Sequence, residues 1–298
     1  MKYFYYPGCS LEGTAIEYDA STRAVLRTVG AELLELEDWT CCGASAGDAV
    51  SYLLAMVLPA RNLALAERTE VDADFLVPCS ACYLNLRKVE DQVKQNDKLL
   101  SDINQVLAEE QMAYKSGIKI RHLLDVLAND IGPEKLRDQA KRKLSGMRVA
   151  PYYGCQALRP YATFDDPERP KSMEPLIEAL GAEVHHWSMG ARCCGAGLMT
   201  TKKNVALESV GQILKAARGA DCIVTVCPMC QMNLDSYQSK ISRNTGEDLT
   251  ISILYLPQLI GLALGLSEEE LKVKSNFVFT RPLQEKLRSM SWELSAAS

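Results

Sequence analysis

Apolar residues along this chain fall into two alternating rhythms. They recur three or four positions apart over 17–29, 49–67 and 205–217, the spacing of helices that bury one face. Between these segments lie short runs rich in aromatic and branched residues, each ending near a Gly, Pro or Cys: Met1 to Gly8, Asp74 to Pro78, Met147 to Gly154 and Asp221 to Val226. Two further strand-and-helix pairs, 118–121 leading into 122–128 and 251–254 leading into 257–264, close the two halves of the chain. Strands that alternate with helices in this way predict small parallel sheets covered by helices, an α/β fold.

The pattern runs twice. Gly8-Cys9 ends the first run of one half, and Gly154-Cys155 ends that of the other. Gly30-Ala31-Glu32 precedes Cys41-Cys42-Gly43-Ala44, and Gly181-Ala182-Glu183 precedes Cys193-Cys194-Gly195-Ala196. A C-x-x-C motif follows in each half, Cys79 with Cys82 and Cys227 with Cys230, and each is followed by an Asn-Leu pair at Asn85 and Asn233. Three matching blocks in one order predict two pseudo-symmetric, Rossmann-like parallel-sheet halves, residues 1–132 and 147–265. In open parallel sheets ligands gather beyond the carboxyl ends of the strands, which is where the cysteine blocks of each half are expected to meet.

Residues 133–146 read as a charged linker between the halves, with Lys141, Arg142 and Lys143 on a solvated helix. The tail, 266–298, has no counterpart in the first half. Its Ser267 and Glu270 have the spacing of a capping box that opens a polar helix. Phe277, Val278, Phe279 and Trp292 give this polar tail an apolar face for packing on the other half or on a partner.

With 47% hydrophobic and 24% charged residues and a formal net charge of -5, the composition is that of an ordinary globular protein. No basic stripe offers a nucleic-acid footprint. The N-terminal residues run into the first cysteine block without the apolar stretch of a secretory signal, and the longest apolar segment, 49–60, is too short to cross a bilayer. A cytoplasmic setting without a direct membrane span is expected.

Of the eleven cysteines only Cys222 stands outside the repeat, inside a predicted strand, where it reads as a small buried apolar residue. The others form two sets: Cys9, Cys41, Cys42, Cys79 and Cys82, then Cys155, Cys193, Cys194, Cys227 and Cys230. In a reducing compartment such sets read as metal ligands, because thiolates are soft donors suited to iron-sulfur clusters. A structural zinc takes four ligands and a cubane cluster four thiolates, so five thiols are one too many for either. Vicinal Cys-Cys side chains do not easily chelate one metal, but they reach neighbouring irons of a larger or opened cluster. Zinc in one or both halves stays as the alternative, while thiol exchange at the C-x-x-C pairs leaves the remaining cysteines unexplained.

At these residues the sequence resembles the cysteine-rich CCG-domain proteins, specifically the B subunit of heterodisulfide reductase, in a doubled Cys, Cys-Cys-Gly, C-x-x-C pattern that reaches to about Leu266. The resemblance implies that each set of five holds a noncubane [4Fe-4S] cluster, with the cysteine-rich loops facing a shared cleft. It implies an oxidoreductase that reduces or forms a disulfide there, the mixed disulfide of coenzyme M and coenzyme B in methanogens. It also implies two partners in a complex, one a flavin-containing subunit and the other a ferredoxin-like iron-sulfur subunit. The chain itself has neither a Gly-x-Gly-x-x-Gly fingerprint nor a closely spaced ferredoxin cysteine run. A protein or lipoyl-type disulfide as substrate, or a purely electron-relaying role, are the alternatives.

Around the second Cys-Cys-Gly stand residues unmatched in the first half: His185, His186, Arg192, Lys202 and Lys203. They are candidates to bind an anionic substrate group or supply a proton, and also read as structural or surface residues. Tyr5, Tyr6, Tyr152 and Tyr153 adjoin the first cysteine of each half, as core or as shielding for a cluster.

Overall fold

The computed structural model describes residues 1–290 except Ser45 and Glu70. Each half forms one four-stranded parallel sheet. The first contains β1 (Lys2–Tyr5), β2 (Glu32–Glu35), β3 (Asp74–Val77) and β4 (Ile120–His122), in the order β2-β1-β3-β4. The second contains β5 (Arg148–Tyr152), β6 (Glu183–Val184), β7 (Cys222–Thr225) and β8 (Ser252–Tyr255), in the order β6-β5-β7-β8. Register repeats with topology: Phe4 pairs with Phe75 and Phe75 with Ile120, as Ala150 pairs with Ile223 and Ile223 with Ile253. The α/β class and the doubled parallel sheet expected from the sequence are what the chain adopts.

The two-residue period of a strand sorts the second sheet between two cores. Val149, Val224 and Leu254 enter a large core that runs unbroken into the first half. Ala150, Tyr152, Ile223 and Ile253 face a smaller one under the helices Lys203–Ala216, Pro228–Ser236 and Gln238–Thr245. Cys222 is fully buried on the large-core side, a packed apolar residue as expected, and burial pushes its thiol pKa up.

The structure departs from the sequence expectations in four places. The 49–67 segment is two helices, Gly47–Val50 and Tyr52–Arg68, because Ser51 is extended and its hydroxyl caps the second by accepting the Leu54 N–H. After β1 the chain enters the helices Gly8–Glu12 and Ile16–Thr28, whereas after β5 residues 155–172 form turns as far as the helix Glu174–Ala179.

The linker helix covers only Gly132–Gln139 and is not fully solvated, since Leu136 is buried. Beyond its end, the backbone N–H groups of Lys141 and Arg142 both donate to the Ala263 carbonyl at 2.9 Å, strapping the linker to the second half. In the tail, Ser267 and Glu270 do exchange capping-box hydrogen bonds, but no polar helix follows. Lys272 takes a left-handed φ of 47°, and only a single tight turn forms at Val273–Ser275. The tail packs through Leu283 and Leu287 of the helix Arg281–Ser289, and through Asp235, which accepts the N–H groups of Phe277 at 2.7 Å and Val278 at 3.0 Å. The Phe277 side chain is exposed, and Trp292 lies outside the described residues.

Candidate metal centre

Each C-x-x-C motif straddles the start of a helix. Cys79 holds the N-cap position of Ser80–Gln95 with Cys82 in its first turn, and Cys227 holds that of Pro228–Ser236 with Cys230 in its first turn. At the first of these starts the Cys79 thiol pKa is held down, chiefly by the Cys82 thiol, with help from the backbone N–H groups of Cys82 and Ala81. The Cys-Cys-Gly loops bring further sulfurs to these helix starts. Cys42 Sγ lies 3.3 Å from Cys82 Sγ, and Cys194 Sγ lies 3.6 Å from Cys230 Sγ. Cys9 Sγ approaches Cys41 Sγ at 3.8 Å, and the Gly195 N–H donates to Cys193 Sγ at 3.3 Å.

The same scaffold surrounds both sets. Gly8 and Gly154 share a φ of +69°, and a Cβ on either would come within 2.9 Å of Cys82 Sγ or Cys230 Sγ, so glycine leaves the room that these sulfurs occupy. Asn85 Nδ2 donates to the Cys42 carbonyl at 3.0 Å, and Asn233 Nδ2 to the Cys194 carbonyl at 2.7 Å. The hydroxyls of Tyr6 and Tyr152 donate to the carbonyls just ahead of each Cys-Cys pair, Thr40 at 2.8 Å and Arg192 at 2.6 Å. All four tyrosines beside the first cysteines are buried; Tyr6 and Tyr152 are posts under the Cys-Cys loops.

Ionisation is shared within each set. Cys42 is held down to about 4, chiefly by its contacts with the thiols of Cys41 and Cys82. Cys193 is held down to about 6, chiefly by the Cys155 thiol, with smaller help from the Gly195 N–H and the Arg159 guanidinium. The neighbours move the other way: Cys41 is pushed up by its bond to Cys42, and Cys230 by its bonds to Cys194 and Cys227. Charge on one sulfur holds the proton on the next, and a cation among them would release the remaining protons. All the cysteines are free thiols. Among the described residues, no three His, Cys, Asp or Glu side chains gather closely enough for a single metal ion; the sulfurs meet in pairs. Five soft donors, helix N–H groups and glycine cradles fit a multinuclear thiolate-held group.

The two sets adjoin through one buried junction. The Tyr18 hydroxyl lies 3.1 Å from both the Pro78 and Val226 carbonyls, and its ring stacks on Tyr255 with centroids 4.1 Å apart. Nearby, the Leu124 N–H donates to His122 Nδ1, which leaves Nε2 to carry the ring proton and donate to Ser80 Oγ at 3.1 Å. The Ser80 hydroxyl in turn donates to the Val226 carbonyl at 3.1 Å. The exchange is reciprocal: Phe164 follows Cys155 by nine residues, as Tyr18 follows Cys9, and it lies parallel to His122 with centroids 6.1 Å apart. Each half therefore places an aromatic ring against the end of the other half's last strand.

The candidate substrate residues do not converge on one point. His185 Nε2 donates to the Ala216 carbonyl at 3.1 Å, and Lys203 Nζ lies over the Tyr237 ring. His186 is exposed and lines a cavity of about 580 Å³ with Tyr153, Arg169, Lys171 and Trp187. Arg192 and Lys202 are exposed, Arg192 directly beside Cys193. Sequence reasoning missed Arg159, whose Nη2 donates to the Ala191 carbonyl at 2.6 Å. The one signal available was its position four residues after Cys155, where the first copy has Gly13.

Two parallel-sheet units, each bringing cysteine loops to a helix start, define a doubled cysteine-rich scaffold. The family model for the cysteine-rich CCG domain matches residues 3–87 and 149–235, and this chain belongs to that family. It is 36% identical over 93% of its length, and 97% of the relative's, to an 8-methylmenaquinol:fumarate reductase membrane anchor subunit of Wolinella succinogenes. It is 31% identical, over 91% of this chain and 92% of the relative, to the B subunit of a ferredoxin/F420H2-dependent CoB-CoM heterodisulfide reductase of Methanosarcina acetivorans. It is 30% identical, over 97% of both chains, to the B subunit of a ferredoxin:CoB-CoM heterodisulfide reductase of Methanosarcina mazei. Among solved structures, a hypothetical protein from Helicobacter pylori shares the fold with a TM-score of 0.76 at 16% identity, covering 94% of this chain and 52% of that one. Among the described residues, no helix is long and apolar enough to cross a membrane.

Proposed function

We propose that each five-cysteine set ligates one noncubane [4Fe-4S] cluster, and that the chain is the iron-sulfur subunit of a cytoplasmic, heterodisulfide reductase-like complex acting on a disulfide or its thiols. The ligands are Cys9, Cys41, Cys42, Cys79 and Cys82 in one set and Cys155, Cys193, Cys194, Cys227 and Cys230 in the other. When bound, the clusters supply one-electron transfers, two of which, with two protons, take one disulfide to two thiols. The protein's part is to hold and expose. Cys42, Cys79, Cys82, Cys194, Cys227 and Cys230 are buried anchors, whereas Cys9, Cys41 and Cys193 are exposed and Cys155 is half-buried, which leaves each set an open side.

The observation that carries this reading is the Tyr18 junction, which joins both C-x-x-C turns through one hydroxyl and keeps two one-electron sites adjacent. Identity of 30% and 31% to the B subunits of heterodisulfide reductases supports the substrate class. Electrons then come from partners of two kinds, one flavin-containing and the other a ferredoxin-like iron-sulfur protein.

Anaerobic iron and sulfide analysis with electron paramagnetic resonance, before and after adding a thiol, tests the proposal. About eight irons per chain are expected, with a spectrum that changes on thiol addition; stoichiometric zinc with little iron would overturn it.

A second reading rests on the Wolinella succinogenes relative, at 36% identity. In it the same two clusters relay electrons from a quinol toward fumarate reduction at a membrane. Disulfide turnover with a viologen reductant favours the first reading; cluster reduction by a menaquinol analogue without disulfide turnover favours the second.

A further inference from the structure

The two cysteine sets share a scaffold but differ in fixed charge. Four residues after its first cysteine the second copy carries Arg159, and the first copy carries Gly13, which has no side chain. Arg159 is clamped between the two chain segments that deliver the outer thiols of its set. Its backbone N–H donates to the Cys155 carbonyl at 2.9 Å, and Nη2 donates to the carbonyl of Ala191, two residues ahead of Cys193. Nη1 reaches the Pro167 carbonyl at 3.3 Å and Glu168 Oε1 at 3.0 Å. The Glu168 side chain is 76% exposed, so solvent weakens that pairing.

We propose that Arg159 makes the two sites unequal, stabilising negative charge at the second set so that its cluster is the more easily reduced of the two and receives electrons first. This rests on the cluster reading above and deepens it. Reduction adds one electron, hence one negative charge, to a site. A fixed cation held against the ligand loops lowers the free energy of the reduced state and raises the potential. The first site has only glycine at this position. Arg159 acts here as a positioning and charge-setting residue, through Ala191 and the Cys193 loop.

The test is a potentiometric titration of the anaerobically loaded full chain with dithionite, read by electron paramagnetic resonance. Cys41→Ala and Cys194→Ala backgrounds assign the signals to the second and first halves. Arg159→Gln is expected to lower the second-half midpoint by a tenfold change in the reduction equilibrium, about 59 mV for a one-electron couple. The first-half midpoint should stay where it was, and Arg159→Lys should restore most of the shift. An unchanged second-half midpoint in Arg159→Gln, or equal shifts in both halves, overturns the inference while leaving the cluster reading intact. A wild-type chain that takes up no iron overturns the cluster reading, and the inference with it. If Arg159→Gln alone takes up no iron, the Arg159→Lys midpoint decides: a potential at the wild-type value supports the charge, and one fallen as far as that of the first half overturns it.

Discussion

The hydroxyl of Tyr18, in the first half, reaches the carbonyl oxygen of Val226 in the second half at 3.1 Å and that of Pro78 at the same distance. These carbonyls stand immediately ahead of Cys227 and Cys79. Val226 has a second donor in Ser80. Tyr18→Phe keeps the ring and its stack on Tyr255 while removing the proton, and is expected to cost about 1–3 kcal/mol, the range for a buried acceptor left unsatisfied. Urea unfolding of the apoprotein checks this: a lower midpoint at an unchanged slope is expected, and wild-type stability would show the bridge to be incidental.

Gly8→Ala and Gly154→Ala add a methyl group where φ is +69° and a sulfur lies 2.9 Å away. Backbone strain of about 1–3 kcal/mol is expected, together with displacement of Cys82 or Cys230. Each variant should lose metal from its own half only, so iron analysis should find about half the wild-type content. Full loading in both variants would show that the close approach has no part in ligation.

His122 and Asp235 pull the pH dependence of stability in opposite directions. Burial drives His122 down to about 3 from 6.5, so in that window the unfolded chain takes up a proton that the folded chain refuses. Its contribution is complete above pH 6.5 and is lost as pH falls towards 3. Burial pushes Asp235 up to about 6 from 3.8, so the folded chain keeps a proton that the unfolded one releases, and its contribution is complete below 3.8 and lost as pH rises through 6. Between about pH 4 and pH 6, His122→Gln should therefore flatten the decline in stability on acidification, by up to about 1.4 kcal/mol per pH unit. Asp235→Asn should steepen it. Urea midpoints of both variants across this range decide the signs.

Arg192 is exposed beside Cys193, its own carbonyl held by Tyr152. If an anionic substrate group docks there, Arg192→Ala should raise KM about tenfold with kcat nearly unchanged, the pattern of lost uniform binding. Unchanged kinetics there and in a Lys202, Lys203 double substitution would make all three ordinary surface charges.

Much of the scaffold was legible because two independent periods agreed: the apolar rhythm gave alternating strands and helices, and the cysteine blocks recurred in register with it. What stayed hidden was decided by single side chains or by distance. Ser51 splits a continuous apolar run by capping, which periodicity does not register. The Tyr18 and Phe164 contacts cross between halves, and equal offsets from a cysteine do not say what a ring touches. Arg159 sits among turns with no period at all, so its reach to Ala191 is visible only once the chain is folded. The bases near Cys193 were visible as letters, but His185 and Lys203 are engaged by Ala216 and Tyr237 instead.

The interlocking of Tyr18 and Phe164 is the geometry of a two-fold pair of chains carried out within one polypeptide. In an assembly of identical chains, any change at such a position would appear on both sides of the axis at once. Covalent fusion lifts that constraint. Tyrosine can stand on one side and phenylalanine on the other, Ser80 can answer to Pro228, His122 to Tyr255 and Gly13 to Arg159. A tandem copy is therefore free to specialise its two ends, one as entry and one as exit, which a symmetric pair of separate chains is denied.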